Sequence, residues 1–189
     1  ISLSDAEARA MTVVDVTGTS GNDTINGGVN DDVIDGSGGA DRLTGGGGID
    51  TFIHNEGDSV SNTAITDGGS AASDADTITG AVFTFGNGVD VITDFGTTDK
   101  INSAQLGSTL PNVVTSTTTF GDVADNTGYI IYGTWSGSTT FTAATAFNST
   151  SAKDALITYS DTADVAGMIN TSFVILDDLS AALTAANFI

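Results

Sequence analysis

The chain of 189 residues contains no cysteine, which excludes both disulfides and thiolate metal sites. Histidine occurs once, as His54. A zinc helix of the H-E-x-x-H type is therefore impossible, and with no cysteine no common zinc site can be assembled. No G-x-S-x-G is present, since "GTWSG" at 133–137 has the wrong spacing, and no glycine run is followed by Lys-Ser or Lys-Thr as a phosphate loop requires. The sequence offers no catalytic apparatus and predicts a protein that is not an enzyme; His54 reads as a turn or surface residue. Basic residues are equally scarce, four against 24 acidic ones, for a formal net charge of −20. Nucleic acid and anionic membrane surfaces are poor partners for such a chain. No apolar run approaches the roughly 20 residues that cross a bilayer, so the chain is not membrane-spanning. The opening "ISLSDAEARAM" lacks the basic region and apolar segment of a cleavable signal peptide, as a mature or excised chain also would.

Glutamate is the most informative shortage. Every acid except Glu7 and Glu56 is aspartate. A chain charged only for solubility would use both acids, whereas aspartate serves tight turns and compact oxygen cages around hard cations. Glycine, by contrast, is abundant and concentrated, as in "GSGGADRLTGGGGIDTFI" at 36–53. Glycine loses more backbone freedom on folding than any other residue, so a compensating interaction is expected.

A nine-residue period organises that stretch. From Gly18 the chain reads GTSGNDTIN, GGVNDDVID, GSGGADRLT, GGGGIDTFI. The first position is Gly18, Gly27, Gly36 and Gly45; the fourth is Gly21, Asn30, Gly39 and Gly48, residues that tolerate a left-handed backbone. The sixth is Asp23, Asp32, Asp41 and Asp50, and the eighth is Ile25, Ile34, Leu43 and Phe52. An imperfect copy, FGNGVDVIT, follows at 85–93 with Asp90 and Ile92 in phase. The last three residues of each unit predict a short strand burying one side chain, and the first six predict a turn. Two units make a coil of about 18 residues whose strands form two facing parallel sheets. Asp23 then stacks over Asp41 and Asp32 over Asp50, a strand spacing of ~4.8 Å apart. Carboxylates so placed repel, and a divalent cation between them converts repulsion into coordination.

These residues resemble the G-G-x-G-x-D-x-U-x nonapeptide of the repeats-in-toxin (RTX) calcium-binding proteins, which fold as parallel β-rolls. An EF-hand is excluded, because its loop ends in glutamate and none lies between Glu7 and Glu56. The resemblance implies ions held between turns two units apart. One turn contributes the carbonyls of its second and fourth positions and its aspartate. The other contributes the carbonyls of its first and third positions and its own aspartate. One implied calcium site is Thr19, Gly21 and Asp23 with Gly36, Gly38 and Asp41; the next is Gly28, Asn30 and Asp32 with Gly45, Gly47 and Asp50. Ser37, Gly39, Gly46 and Gly48 face the following coil and offer further sites. Beyond the repeats, "GVDVITDFGTTDKIN" resembles the segment that closes such rolls and makes Asp58, Asp90, Asp94 and Asp99 candidate ligands of terminal calcium sites. The intervening residues alter the family spacing there.

The expected fold is all-β, a parallel β-roll or two-sheet solenoid with calcium-loaded turns, extended by a C-terminal β-rich region with short helices. Residues 1–17 predict an N-terminal cap: "SDAE" is a capping box for a helix over 5–11, and "TVVDV" a strand. The repeats occupy 18–53, an irregular insertion 54–80, a closing rung 81–106 and a β-rich domain 107–189. In that last part "TGYIIYGTW", "DALITYSD" and "TSFVILDDL" predict strands, and "TAATAF" and "SAALTAANF" short helices. The ending "LTAANFI" resembles the C-terminal tails of type I-secreted RTX proteins. Tyr129, Tyr132, Trp135, Phe141 and Tyr159 suit either a sugar-binding surface or, more commonly for aromatics in strands, core.

The expectation is thus a secreted, extracellular calcium-binding module at the cell surface. It would bind several Ca²⁺ ions, be driven to fold by them, and form part of a surface-layer or adhesin-like protein exported by type I secretion. Its partners would be calcium and either a cell-surface glycan or copies of itself. Two alternatives stand beside it: the C-terminal roll of a secreted enzyme similar to serralysins, lipases or epimerases, and a calcium-dependent glycan-binding module.

Overall fold

The structure, a computed structural model, describes residues 15–55, 57–59, 64–67, 70–73, 76–86, 88–106, 108, 110–119, 127–160 and 173–189. The helix expected over 5–11 and the start of "TVVDV" lie outside these residues. The strand β1 (Asp15–Thr17) begins at the end of that motif.

The repeats wind as their period requires. Strands β2 (Thr24–Gly28) and β4 (Arg42–Gly46) lie on one side; β1, β3 (Val33–Asp35) and β5 (Thr51–Ile53) lie on the other. All pairings among them are parallel, with Ile25 beside Leu43 and Ile34 beside Phe52. These eighth-position side chains are buried, while their neighbours in each three-residue strand face outward. The alternation in the sequence is therefore the alternation of a pleated strand. Each coil buries one side chain per sheet, a small return for nine ordered residues.

A third coil carries the same register forward after a long detour. Strand β9, Asp90–Ile92, pairs with β4, placing Ile92 beside Leu43; β10, Lys100–Asn102, pairs with β5, placing Ile101 beside Phe52. Its first turn is made of two pieces. The chain enters at His54, and the Gly39 N–H donates to the Asp58 carbonyl at 2.8 Å, with Gly39 bridged to Ser59. The chain then departs and returns so that Asp41 N–H donates to Asp90 Oδ1 at 2.8 Å, 49 residues along the chain instead of 18. The insertion thus interrupts a turn, and the coil closes as if it were absent.

The detour builds a second region of different character. Within it β6 (Ala64–Asp67), β7 (Ser70–Ala71) and β8 (Val82–Thr84) pair antiparallel, so the segment 54–80 expected to be irregular contains two of these strands, and β8, within the expected closing rung 81–106, belongs to this region instead. The sheet continues through β13 (Thr140–Ala143), β12 (Thr127–Trp135), β14 (Asp154–Ser160) and β15 (Phe173–Leu176), with β11 (Asn112–Val113) beside β12. Strand β15 pairs parallel with β9, so one eleven-stranded sheet runs from the roll into the antiparallel extension. The extension has an aromatic core in which Phe173 meets Phe85 and Phe83 edge-on at 5.4 and 6.0 Å, and Phe85 meets Trp135 at 6.0 Å.

The C-terminal tail closes the roll. Phe188 bridges to Ile101, and the Ile189 N–H donates to the Ile101 carbonyl. The buried Asn187 amide donates to the carbonyls of Thr97 (3.1 Å) and Asp99 (3.0 Å), and Lys100 Nζ donates to Ala186 O at 2.6 Å. With β15 on one sheet and Phe188 on the other, the last 17 residues make a fourth coil outside the nine-residue pattern, with Asp177 and Asp178 in the turn after β15. Short helices were expected here, but the described residues contain only a single 3-10 turn at Ala185–Asn187. "TAATAF" instead ends β13 and turns. Such brief alanine–threonine runs do not repay helix nucleation when sheet pairing competes.

Candidate metal centre

Two columns of aspartates stand where successive turns stack. In the first, Asp23 N–H donates to Asp41 Oδ1 (2.8 Å) and Asp41 N–H to Asp90 Oδ1 (2.8 Å). In the second, Asp32 N–H donates to Asp50 Oδ1 (3.0 Å) and Asp50 N–H to Asp99 Oδ1 (3.1 Å). One oxygen of Asp41, Asp50, Asp90 and Asp99 is thereby spent on the coil before it. The other turns back toward the start of its own turn: a Cβ on Gly36 would collide with Asp41 Oδ2. This close approach is what reserves the first position for glycine.

These six aspartates are only 1–7% exposed, and carboxylates are seldom buried so deeply. Asp41 Oδ2 is buried and accepts no hydrogen bond. Burial, reinforced by the neighbouring Asp90 and Asp23, pushes the Asp41 carboxyl up from 3.8 to about 7. Burial, reinforced by Asp99, Asp32 and Asp94, does the same to Asp50. Like charges stacked out of water favour the proton, or any cation that takes its place. Hard oxygen donors with no nitrogen or sulfur among them suit calcium. The residues present fit the ion.

The structure brings together both expected sets. The turn at 18–23 stacks on 36–41, with the Gly38 N–H donating to the Thr19 carbonyl at 3.1 Å; the turn at 27–32 stacks on 45–50, with the Gly47 N–H donating to the Gly28 carbonyl at 2.9 Å. Gly21 and Asn30 occupy the fourth positions of the lower turns, and Gly36 and Gly45 the first positions of the upper ones. Of the terminal candidates, Asp90 and Asp99 extend the columns in register. Asp94 opens the third turn of the second column and accepts the N–H groups of Gly45 (2.9 Å) and Gly46 (2.7 Å). Asp58 lies in the interrupted turn, where its carboxylate accepts the Asn55 N–H and is pushed up mainly by burial.

His54 stands in a turn, one of the two places expected for it, but it is buried rather than on the surface. It takes the place of glycine at the first position of the interrupted turn and is 8% exposed, with Nδ1 3.3 Å from Asp90 Oδ2. Sequence reasoning also missed Asp154, Asp177 and Asp178, the one trio among the described residues whose ligating atoms lie within 4.8 Å of one another. The Asp-Asp pair in "VILDDL" was its only sequence signal. Asp154 is committed to the N–H groups of Trp135 (2.6 Å) and Asp178 (2.9 Å), and Asp178 pairs with Lys153. This trio ties strand ends together. Tyr129, Tyr132, Trp135 and Phe141 are buried, so they are core and leave no aromatic platform for a sugar; Tyr159 is half-buried.

Residues 17–52 match the family profile of the RTX calcium-binding nonapeptide repeat, in four copies. Among solved structures, the AlgE6R3 subunit from the Azotobacter vinelandii mannuronan C5-epimerase is similar at 21% identity, covering 94% of this chain and 77% of that one with a TM-score of 0.38. No curated protein matches the chain.

Proposed function

We propose, from the RTX calcium-binding repeats at residues 17–52 as premise, that the chain is a non-enzymatic calcium-binding module that folds outside the cell. It would serve as a structural or interaction part of a type I-secreted surface protein of surface-layer or adhesin kind. The observation that carries this reading is the stacking of buried carboxylates, with Asp41 Oδ2 buried and accepting no hydrogen bond. Calcium, when bound, supplies the positive charge that these oxygens lack. The holding residues are those of the stacked turns: Thr19, Gly21 and Asp23 with Gly36, Gly38 and Asp41, and Gly28, Asn30 and Asp32 with Gly45, Gly47 and Asp50. Asp90, Asp94 and Asp99 extend the set to the third coil. The chain divides accordingly into a cap before Gly18, the repeats, an insertion, a closing coil and a β-rich C-terminal part.

The protein's own contribution is to hold these oxygens in place. Backbone N–H groups fix oxygens of Asp23, Asp41, Asp50, Asp90, Asp94 and Asp99, glycines let the turns approach, and the eighth-position side chains set the coil spacing. Extracellular calcium modules bind with dissociation constants of roughly 0.1–1 mM. At 100-fold excess over that constant each site adds about 2.7 kcal/mol to folding, enough for two or three sites to decide the state of so small a core. Cytosolic calcium is far lower, so the repeats stay unwound during export and wind once outside.

Calorimetric titration of the chain with calcium tests this. At least two ions should bind in the sub-millimolar range with a gain of β circular dichroism, and Asp41→Asn or Asp50→Asn should each remove at least one. Absence of calcium binding, or full stoichiometry in both variants, would overturn it.

A further inference from the structure

The second aspartate column ends at Asp99, and the residue that meets this last turn is Asn187. We propose that Asn187 is the stop residue of the column: its side-chain amide takes the place of the calcium ion that a further turn would share. The inference rests on the proposed function, in which ions lie between stacked turns.

The turns of this column, at 27–32, 45–50 and 94–99, correspond position by position, so Thr97 is the fourth residue of the last turn and Asp99 the sixth. In the arrangement implied for the regular turns, the fourth-position carbonyl is offered to an ion shared with the next coil. The Thr97 carbonyl instead accepts a hydrogen bond from Asn187 Nδ2 at 3.1 Å, and the same nitrogen donates to the Asp99 carbonyl at 3.0 Å. The other end of the amide is fixed as firmly. Asn187 Oδ1 accepts the N–H and the hydroxyl of Thr184, at 3.0 and 3.1 Å. Two donors and two acceptors saturate the amide, so this 2% exposed side chain has no polar group unmet.

The backbone changes at the same point. Within the column each aspartate carbonyl accepts an N–H from the following coil: Thr51 N–H donates to Asp32 O and Lys100 N–H to Asp50 O, each at 2.8 Å. The Ile101–Phe188 bridge brings residue 187 to the corresponding place beside Lys100. Yet the Asn187 N–H turns to Thr184 O, and its side chain serves Asp99 in place of its backbone. Likewise Asp32 and Asp50 donate their N–H groups to the carboxylate of the next turn, whereas Asp99 N–H donates to Gly96 O within its own turn. The residue in aspartate register is Ala186. An amide nitrogen satisfies carbonyl oxygens as a cation would, but no further carboxylate is present for an ion to bridge. The column therefore holds ions between its three turns and none beyond the last.

Nuclear magnetic resonance of the ¹⁵N-labelled whole chain tests this in the wild type. The side-chain NH₂ protons of Asn187 should exchange with solvent at least about tenfold more slowly than those of the exposed Asn112, and excess calcium should not release them. Their release by calcium would mean that an ion takes the two carbonyls, and would overturn the proposal. Calorimetric titration of variants supplies the converse. Asn187→Asp presents a carboxylate oxygen to the Thr97 and Asp99 carbonyls and should take up one calcium more than the wild type. Asn187→Leu removes the donor without adding an oxygen and should bind the wild-type number. A folded Asn187→Asp variant with the wild-type count would overturn the inference, and the wild-type amide measurement decides it if that variant fails to fold. A wild-type chain that took up no calcium would count against the proposed function, while exposed Asn187 protons would count against this inference alone.

Discussion

The roll and the antiparallel extension share a sheet but are held together differently. In the extension, Phe83, Phe85, Trp135, Phe141 and Phe173 interlock in a core that excludes water without charge. In the roll, each nine-residue unit buries one large apolar side chain and one carboxylate. Hydrophobic burial stabilises the first by itself. The second buries charge, a cost that the proposed calcium would offset. The proposed function therefore predicts, within one continuous sheet, a part that folds on its own and a part that waits for metal.

Breaking the aromatic core should have the largest effect and should ignore calcium. Phe85→Ala removes a fully buried ring and should lower stability by about 3–5 kcal/mol, equally with calcium and with chelator, when followed by denaturant unfolding at Trp135. A penalty seen only with calcium would erase the distinction between the regions.

The second test is steric and confined to the roll. Gly46 has φ +97°, and a Cβ there would fall on the Gly28 carbonyl of the coil below, whereas Gly57, at φ +91°, has open space around it. Gly46→Ala should cost about 2–3 kcal/mol of the calcium-dependent stability; Gly57→Ala should cost about 1 kcal/mol. Comparing calcium midpoints of the two variants checks this, and equal midpoints would show that close stacking of the turns is dispensable.

The smallest effect is the pH dependence of the metal-free roll. Asp41 and Asp50 bind protons more tightly folded, at about 7, than unfolded, at 3.8. A raised carboxyl pKa favours folding at low pH, and that advantage is lost as pH rises from about 4 to about 7. In chelator the roll should be most ordered near the acid end of this window. Calcium displaces the same protons, so its affinity should rise across the window. Circular dichroism at several pH values checks the sign; order that increases with pH in chelator would reverse the account.

Much of the roll was legible because a period of nine leaves little freedom. Asp23, Asp32, Asp41 and Asp50, with Ile25, Ile34, Leu43 and Phe52, are where the repeat places them. Asp90 and Ile92 were legible from the imperfect copy at 85–93; what no local signal announced is that the turn before them is begun by His54–Ser59, ahead of the detour. His54 was legible as a turn residue but not as a buried one, since its contact with Asp90 joins residues far apart in the sequence. The short helices expected near the C-terminus give way to sheet pairing and to one capping turn at Asn187. That outcome rests on the open end of the roll rather than on the alanines themselves.

Amide hydrogen exchange on the whole chain, with calcium and with chelator near neutral pH, tests the central claim most directly. The N–H groups of Asp23, Asp32, Asp41 and Asp50 each donate to a carboxylate one coil further on, so they report the stacking itself. Calcium should protect them, and chelation should release them while β12 and β14 stay protected. Equal protection of the repeats in chelator would contradict the claim that these turns need a cation to wind.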